Sequence, residues 1–146
     1  MLRFRFRLWL FVSLFAFALV WANDSERIIK PSELPQRAQQ FIKRYYSMAS
    51  VIRAVYDEDI FSKEYEVWIE GGVHLEFAES GDWIDVEAQT QVPDDIVPAP
   101  IAIYVSRHHP QSRVVRIERD KHGYEVVLSD HRELKFNNRF KLVEVD

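Results

Sequence analysis

An α+β fold is expected, built from two tandem repeats that each run as one helix followed by a four-stranded antiparallel meander. Both meanders are expected to join in one sheet with the two helices on the same face. Three observations predict this. Leu34 to Glu87 lies over Val97 to Asp146 with a constant offset of 63 up to Asp57 and of 59 from Tyr65 onward, so a single gap suffices. Apolar residues at the start of each copy recur every three or four positions and then every two, the periods of a helix and of half-buried strands. Glycine, asparagine and aspartate cluster where the strands would have to turn.

The matches fall where a repeated core requires them: Pro35 on Pro98, Val51 on Val114, Arg53 on Arg116, Tyr65-Glu66-Val67 on Tyr124-Glu125-Val126, Leu75 on Leu134, Phe77 on Phe136 and Val86 on Val145. In the first copy, Leu34, Ala38, Phe41, Ile42 and Tyr45 form one apolar stripe, and Pro35 suits a first helical turn. This places a helix at Leu34 to Tyr46. Period-two alternation then puts Ile52, Ala54 and Tyr56 inward, followed by Tyr65, Val67 and Ile69. Gly71-Gly72 and Ser80-Gly81-Asp82 turn the chain into two further strands, Val73-Leu75-Phe77 and Ile84-Val86. The second copy repeats the plan with a helix at Pro98 to His109, and its last inward pair is expected to be Val143 and Val145.

The first 22 residues stand apart. Arg3, Arg5 and Arg7 precede an apolar run from Leu8 to Val20, and Val20-Trp21-Ala22 suits cleavage, which reads as a secretory signal peptide. The run is shorter than the roughly 20 residues a spanning helix needs, so no membrane segment is expected in the mature form. Domain boundaries follow: signal peptide 1–22, a polar and loose lead-in 23–33, repeat one 34–88, a proline-rich connector 89–96 and repeat two 97–146. Without the three arginines, 16 Lys and Arg remain against 23 Asp and Glu, a net charge of about −7. Such a chain repels phosphate backbones, which excludes nucleic acid as a partner. With no cysteine, burial alone must stabilise an exported product, and about 124 residues suffice for that as one unit.

The segment Leu-Pro-x-x-Ala-x-x-Phe-Ile-Lys-x-Tyr at Leu34 to Tyr45, its echo at Val97 to His108, and Val-Val-Arg-Ile-Glu-Arg-Asp-Lys-His-Gly-Tyr-Glu-Val-Val-Leu-Ser at Val114 to Ser129 with Glu133-Leu134-Lys135-Phe136 resemble the PepSY-like family of exported bacterial proteins. The resemblance implies a fold similar to that of the β-lactamase inhibitor protein and a location in the envelope, periplasmic or secreted. It implies no particular activity. Ser47-Met48, where the family tends to have proline, and a longer first hairpin depart from the pattern.

With helices on one face, the other is expected to carry Arg53, Val55, Glu66, Trp68, His74, Glu76, Trp83 and Asp85, then Arg116, Glu118, Glu125, Val127, Glu133, Lys135, Leu142 and Glu144. Positions where the copies differ without a core demand are the better candidates for function: Ile60, Phe61, Trp68, His74 and Trp83 are read as protein-binding. Ile60 and Phe61 tip the longer hairpin, a place where binding residues concentrate. No metal site or cofactor is expected. Asp57, Glu58 and Asp59 lack the glycine and terminal glutamate of a calcium loop, and the adjacent pair His108-His109 lacks the spacing that aims two ligands together. Catalysis is not expected either, since there is no thiol, no glycine-rich phosphate loop and no nominated triad. The leading reading is a monomeric, non-catalytic exported protein that binds an unidentified envelope or secreted protein, as an inhibitor or modulator of a hydrolase. The alternative is an envelope sensor or carrier of a small ligand or cation.

Overall fold

The computed structural model describes residues 26–146; the expected signal peptide at 1–22 and the start of the lead-in lie outside the described residues. Nine strands and two helices follow one another: β1 (Glu26–Ile29), α1 (Gln36–Tyr45), β2 (Val51–Glu58), β3 (Lys63–Ile69), β4 (Val73–Ala78), β5 (Trp83–Ala88), α2 (Ala99–His108), β6 (Val114–Arg119), β7 (Gly123–Leu128), β8 (Glu133–Asn137) and β9 (Leu142–Val145). The strands lie in one sheet in chain order, with every neighbouring pair antiparallel. This is the expected α+β class, and the order of one helix and four strands occurs twice.

Both helices cover the same face. Each begins after a proline, Pro35 or Pro98, whose fixed φ and missing N–H are tolerated at a helix start. Ala38 and Ile42 of α1 and Ile101 and Val105 of α2 are buried. Phe41 meets Phe77 edge-on at 5.5 Å between ring centres, and Tyr104 meets Phe136 at the same distance and angle. Register carries Phe77 and Phe136 to the same side, because the row Glu76, Asp85, Glu118, Glu125 and Lys135 connects their neighbours across the other face. Tyr65 and Tyr124 lie on the covered side, half-buried. His108 is exposed and stacks on Tyr104 as Tyr45 packs on Phe41.

Two expectations are corrected. The lead-in is not a loose segment throughout: Glu26–Ile29 adds a ninth strand antiparallel to β2, and Ile29 is buried opposite Ala54. The second correction concerns parity. One extra residue interrupts the ladder in four strands, at Ile52 in β2, Ile84 in β5, Val115 in β6 and Val143 in β9. Each bulge reverses the faces of the residues on one side of it. Trp83 therefore pairs with Phe77 and Leu142 with Phe136, so both join the helix side rather than the open face. Ile52 and Val143, expected inward, are exposed, and Val145 is half-exposed because β9 is a sheet edge.

Backbone contacts are close at two glycines. A Cβ at Gly81 would stand 2.8 Å from Pro35 Cβ, which seats the start of α1 on the β4–β5 turn. A Cβ at Gly123 would stand 2.0 Å from the Phe136 carbonyl oxygen. Gly123→Ala is expected to destabilise by about 2–3 kcal/mol or more through overpacking and strain. Phe77→Ala should cost about 3–5 kcal/mol through a core cavity, and Phe61→Ala, at an exposed hairpin tip, less than about 1 kcal/mol. Urea unfolding of the three variants checks this ordering.

Candidate functional site

The face away from the helices carries charge in rows. Cross-strand register aligns Val55, Glu66, Glu76, Asp85, Glu118, Glu125, Lys135 and Glu144 from β2 to β9. Five carboxylates thus stand directly opposite one another on the adjacent strands β3 to β7. Directly opposed side chains lie about 5 Å apart, and like charges in such pairs are destabilising. The next row aligns Arg53, Trp68, His74, Glu87, Arg116, Val127 and Glu133.

Compensation comes mainly from Arg116. Its Nε donates to Asp85 Oδ1 at 3.1 Å and Oδ2 at 2.9 Å, and its Nη2 donates to Glu118 Oε2 at 3.0 Å. Burial alone would lower the guanidinium's pKa, but the hydrogen bonds and charge of Asp85 outweigh it and push the value up. Asp85 is only 4% exposed, so this pair is a buried one. At the far end, Lys135 Nζ lies 2.8 Å from Glu144 Oε2 and 3.5 Å from Asp146 Oδ2.

Across β2 to β4, towards the Gly71-Gly72 turn, the face has a different character. Arg53 lies over the Trp68 ring at 5.1 Å, the other side of the stack being His74 at 4.8 Å from Trp68 between ring centres. His74 Nε2 lies 3.3 Å from Glu66 Oε2. Glu66, His74 and Glu76 each offer a ligand atom, all within 4.8 Å of one another, and among the described residues they are the one such grouping that could hold a metal ion.

Of the sequence-predicted site residues, Trp68 and His74 are brought into contact on the open face. Trp83 is not with them. Its indole lies under the Arg119 guanidinium at 4.0 Å on the helix side, in a surface hollow of about 330 Å³ that Phe41, Tyr45, Arg119 and Tyr124 help to line. Ile60 and Phe61 are exposed at the β2–β3 turn, where Asp59 Oδ1 accepts from Phe61 N at 2.6 Å and Ser62 N at 2.7 Å. That turn projects from one end of the sheet. Sequence reasoning placed Glu66, Glu76 and Glu118 on the open face but missed their alignment into one row. The signal was present in the Gly71-Gly72 turn, since its loop length sets which residues of β3 and β4 stand opposite.

Titration records the crowding. Burial, with Asp85 and Glu66 nearby, pushes the Glu76 carboxyl from 4.5 up to about 7. Burial raises Glu118 and Glu125 as well, with Arg116 and Lys135 opposing the shift. For His74, burial favours the neutral ring, yet the hydrogen bond to Glu66 and the charges of Glu76, Glu66 and Asp85 win and raise its pKa. All four groups hold protons more tightly in the folded state than in the unfolded chain. The contribution of the three carboxyls is therefore full below their ordinary range and is lost as pH rises through their folded values, about 7 for Glu76, whereas that of His74 is full below the ordinary imidazole value of 6.5 and is lost above it. The melting temperature is expected to be higher at pH 5 than at pH 8, and Glu76→Gln to flatten the profile while adding about 1 kcal/mol, or roughly 4 °C, at pH 8. Thermal unfolding followed by circular dichroism checks both.

A one-sided α+β sheet, helices on one face and a crowded acidic row on the other, is the class of protein defined here. Residues 63–144 match the family described as "Putative beta-lactamase-inhibitor-like, PepSY-like", and the chain belongs to this family. Solved relatives share the fold. A "putative periplasmic protein" from Bacteroides vulgatus is 38% identical over 86% of this chain and 99% of its own, with a TM-score of 0.81. A "putative calcium-regulated periplasmic protein" from Bacteroides thetaiotaomicron is 42% identical over 83% of this chain and 96% of its own, with a TM-score of 0.80. A third, also from Bacteroides vulgatus and described as of unknown function, is 25% identical over 83% of this chain and 98% of its own, with a TM-score of 0.78. No curated protein matches the chain. None of these descriptions names a catalytic activity, and no helix among the described residues is long and apolar enough to cross a membrane.

Proposed function

We propose that this is an exported, non-catalytic binding protein of the bacterial envelope, which engages a positively charged surface of another envelope or secreted protein through its open sheet face. The observation that carries the reading is the row Glu66, Glu76, Asp85, Glu118 and Glu125, opposed across adjacent strands. Folding does not require such a row, and like charges at these positions work against it. A cationic partner relieves the repulsion on binding, so the energy withheld from folding returns as affinity and specificity. Trp68, half-buried between Arg53 and His74, gives the face an aromatic contact point, and Ile60 and Phe61 extend the surface at one end. The Arg-rich start with its apolar run, and the periplasmic description of the relatives, support export. Inhibition or modulation of a hydrolase is the form that the family description suggests.

A second reading, an envelope sensor or carrier of a cation, is favoured by the relative described as calcium-regulated and by the same carboxylates. A thermal shift with calcium or other divalent ions distinguishes it, because selective binding to the folded state must raise the melting temperature.

For the protein-binding reading, the protein is immobilised and exposed to envelope extract at low ionic strength, and retained proteins are eluted with salt and identified. The expected outcome is a basic partner, released as salt screens the contact. Glu118→Gln should raise the melting temperature while reducing retention, and Trp68→Ala should reduce retention at a stability cost of about 1 kcal/mol. Retention that ignores both salt and Glu118→Gln would remove the open face as the binding surface.

A further inference from the structure

Two hairpins of the sheet can be compared position by position. In β7 and β8, Glu125 stands opposite Lys135 and Val127 opposite Glu133. In β3 and β4, Glu66 stands opposite Glu76 and Trp68 opposite His74. Both sets lie on the open face, and Glu125 and Glu66 belong to the same row. At the β7–β8 hairpin the ammonium of Lys135 supplies the positive charge, bound to Glu144 and close to Asp146. At the matching place in β3–β4 the side chain is Glu76, and an imidazole replaces the second glutamate. The charge is reversed while the surroundings remain acidic.

We propose that Glu66, His74 and Glu76 bind a divalent transition-metal ion of the zinc class, which takes the role that the Lys135 ammonium plays in the other hairpin. The inference rests on and deepens the cation reading of this face, and it shares Glu66 and Glu76 with the row that carries the protein-binding one. Donor chemistry selects the ion. Calcium and magnesium take oxygen ligands, whereas one imidazole nitrogen with two carboxylates suits zinc and its neighbours. Spacing agrees: ligand atoms on one tetrahedral zinc ion lie about 3.4 Å apart at bond lengths near 2.1 Å. His74 Nε2 and Glu66 Oε2 already stand at 3.3 Å, and the whole set lies within 4.8 Å. Side-chain rotation of Glu76 closes the remainder.

The surroundings support the set. All three side chains are half-buried and project from two adjacent strands within a sheet, so their backbones are rigidly held. Trp68 packs on the His74 ring and limits its rotation. Asp85, next in the row, is engaged by Arg116 and so does not compete for the ion. Three protein ligands leave a fourth position open to water or to a ligand atom from a partner.

The test is calorimetric titration of the tag-free protein with zinc, calcium and magnesium chlorides separately, together with visible absorption of cobalt(II) as a probe of direct coordination. Zinc should bind one ion per chain, more tightly than calcium by at least about tenfold, and cobalt should give visible bands. His74→Asn should weaken zinc at least about tenfold and remove the cobalt bands. Glu76→Lys, which copies the arrangement at Lys135, should abolish zinc binding while raising the melting temperature of the metal-free protein. That rise shows that the variant is folded. Glu125→Gln, on the same face but in the other hairpin, should leave zinc affinity unchanged. The proposal is overturned by zinc binding that survives both His74→Asn and Glu76→Lys, by calcium binding as tightly as zinc, or by no saturable zinc binding in the submillimolar range. Saturable calcium binding that survives both variants, with no zinc binding, would leave the cation reading intact and remove this site; failure of the protein-binding reading is read separately, from salt-sensitive capture by the metal-free protein.

Discussion

Arg116 and Asp85 meet where β5 of the first helix-and-meander half joins β6 of the second, a pairing of only three register positions. Asp85 sits in the row between Glu76 and Glu118, almost fully withdrawn from water. A buried carboxylate in that position is tolerable only when a fixed cation faces it, because removing one member of such a pair leaves an uncompensated charge in a poorly solvated place. Arg116 meets the requirement with a planar fork that reaches Asp85 and Glu118 at once. Continuity of the sheet, and with it the common covered face under α1 and α2, depends on this seam remaining closed.

From the seam outward the two faces obey different rules. The helix side is apolar packing, with Phe77, Leu75, Ile117, Leu134 and Val126 sealed beneath two short helices. The open side is a set of strands that carries more carboxylates than cations. Arg116 and Lys135 hold parts of it, and the segment from Glu66 to Glu76 is held by His74 and the Trp68 stack. Natural sequences tolerate local conflict of this kind where a binding site needs it. The acidic row and the Glu66, His74 and Glu76 group are therefore parts of one feature: a face that is under-compensated in positive charge when the protein is alone.

Much of the fold could be read from the chain. The change of period after Ser47, the glycine-marked turns and the internal match predicted two helices on one face of an antiparallel sheet, and Ala54, Val67, Ile69, Leu75, Phe77, Ile117, Val126, Leu134 and Phe136 are buried as expected. Misplacements share one cause. A bulge adds a single residue without any composition signal, so Trp83, Leu142, Ile52 and Val143 keep the same local sequence pattern while their side chains change face. Similarly, Glu26–Ile29 carries polar residues typical of a loose segment, and only the unpaired edge of β2 makes it a strand.

The candidate site divides along the same line. Residue types, their period and the turn lengths determined that Glu66, Trp68, His74 and Glu76 share the uncovered face, because in a strand the side of each side chain depends on nothing beyond local parity. The internal match already set Glu76 on Lys135, and the Gly71-Gly72 turn set Glu66 opposite Glu76, but that Asp85, Glu118 and Glu125 continue the line across five strands and that Arg116 reaches diagonally to Asp85 was decided by the tertiary structure. Alternation within a strand is a one-dimensional property of the chain, whereas opposition between strands depends on register, and register is set by turns, bulges and the burial of the whole covered face together.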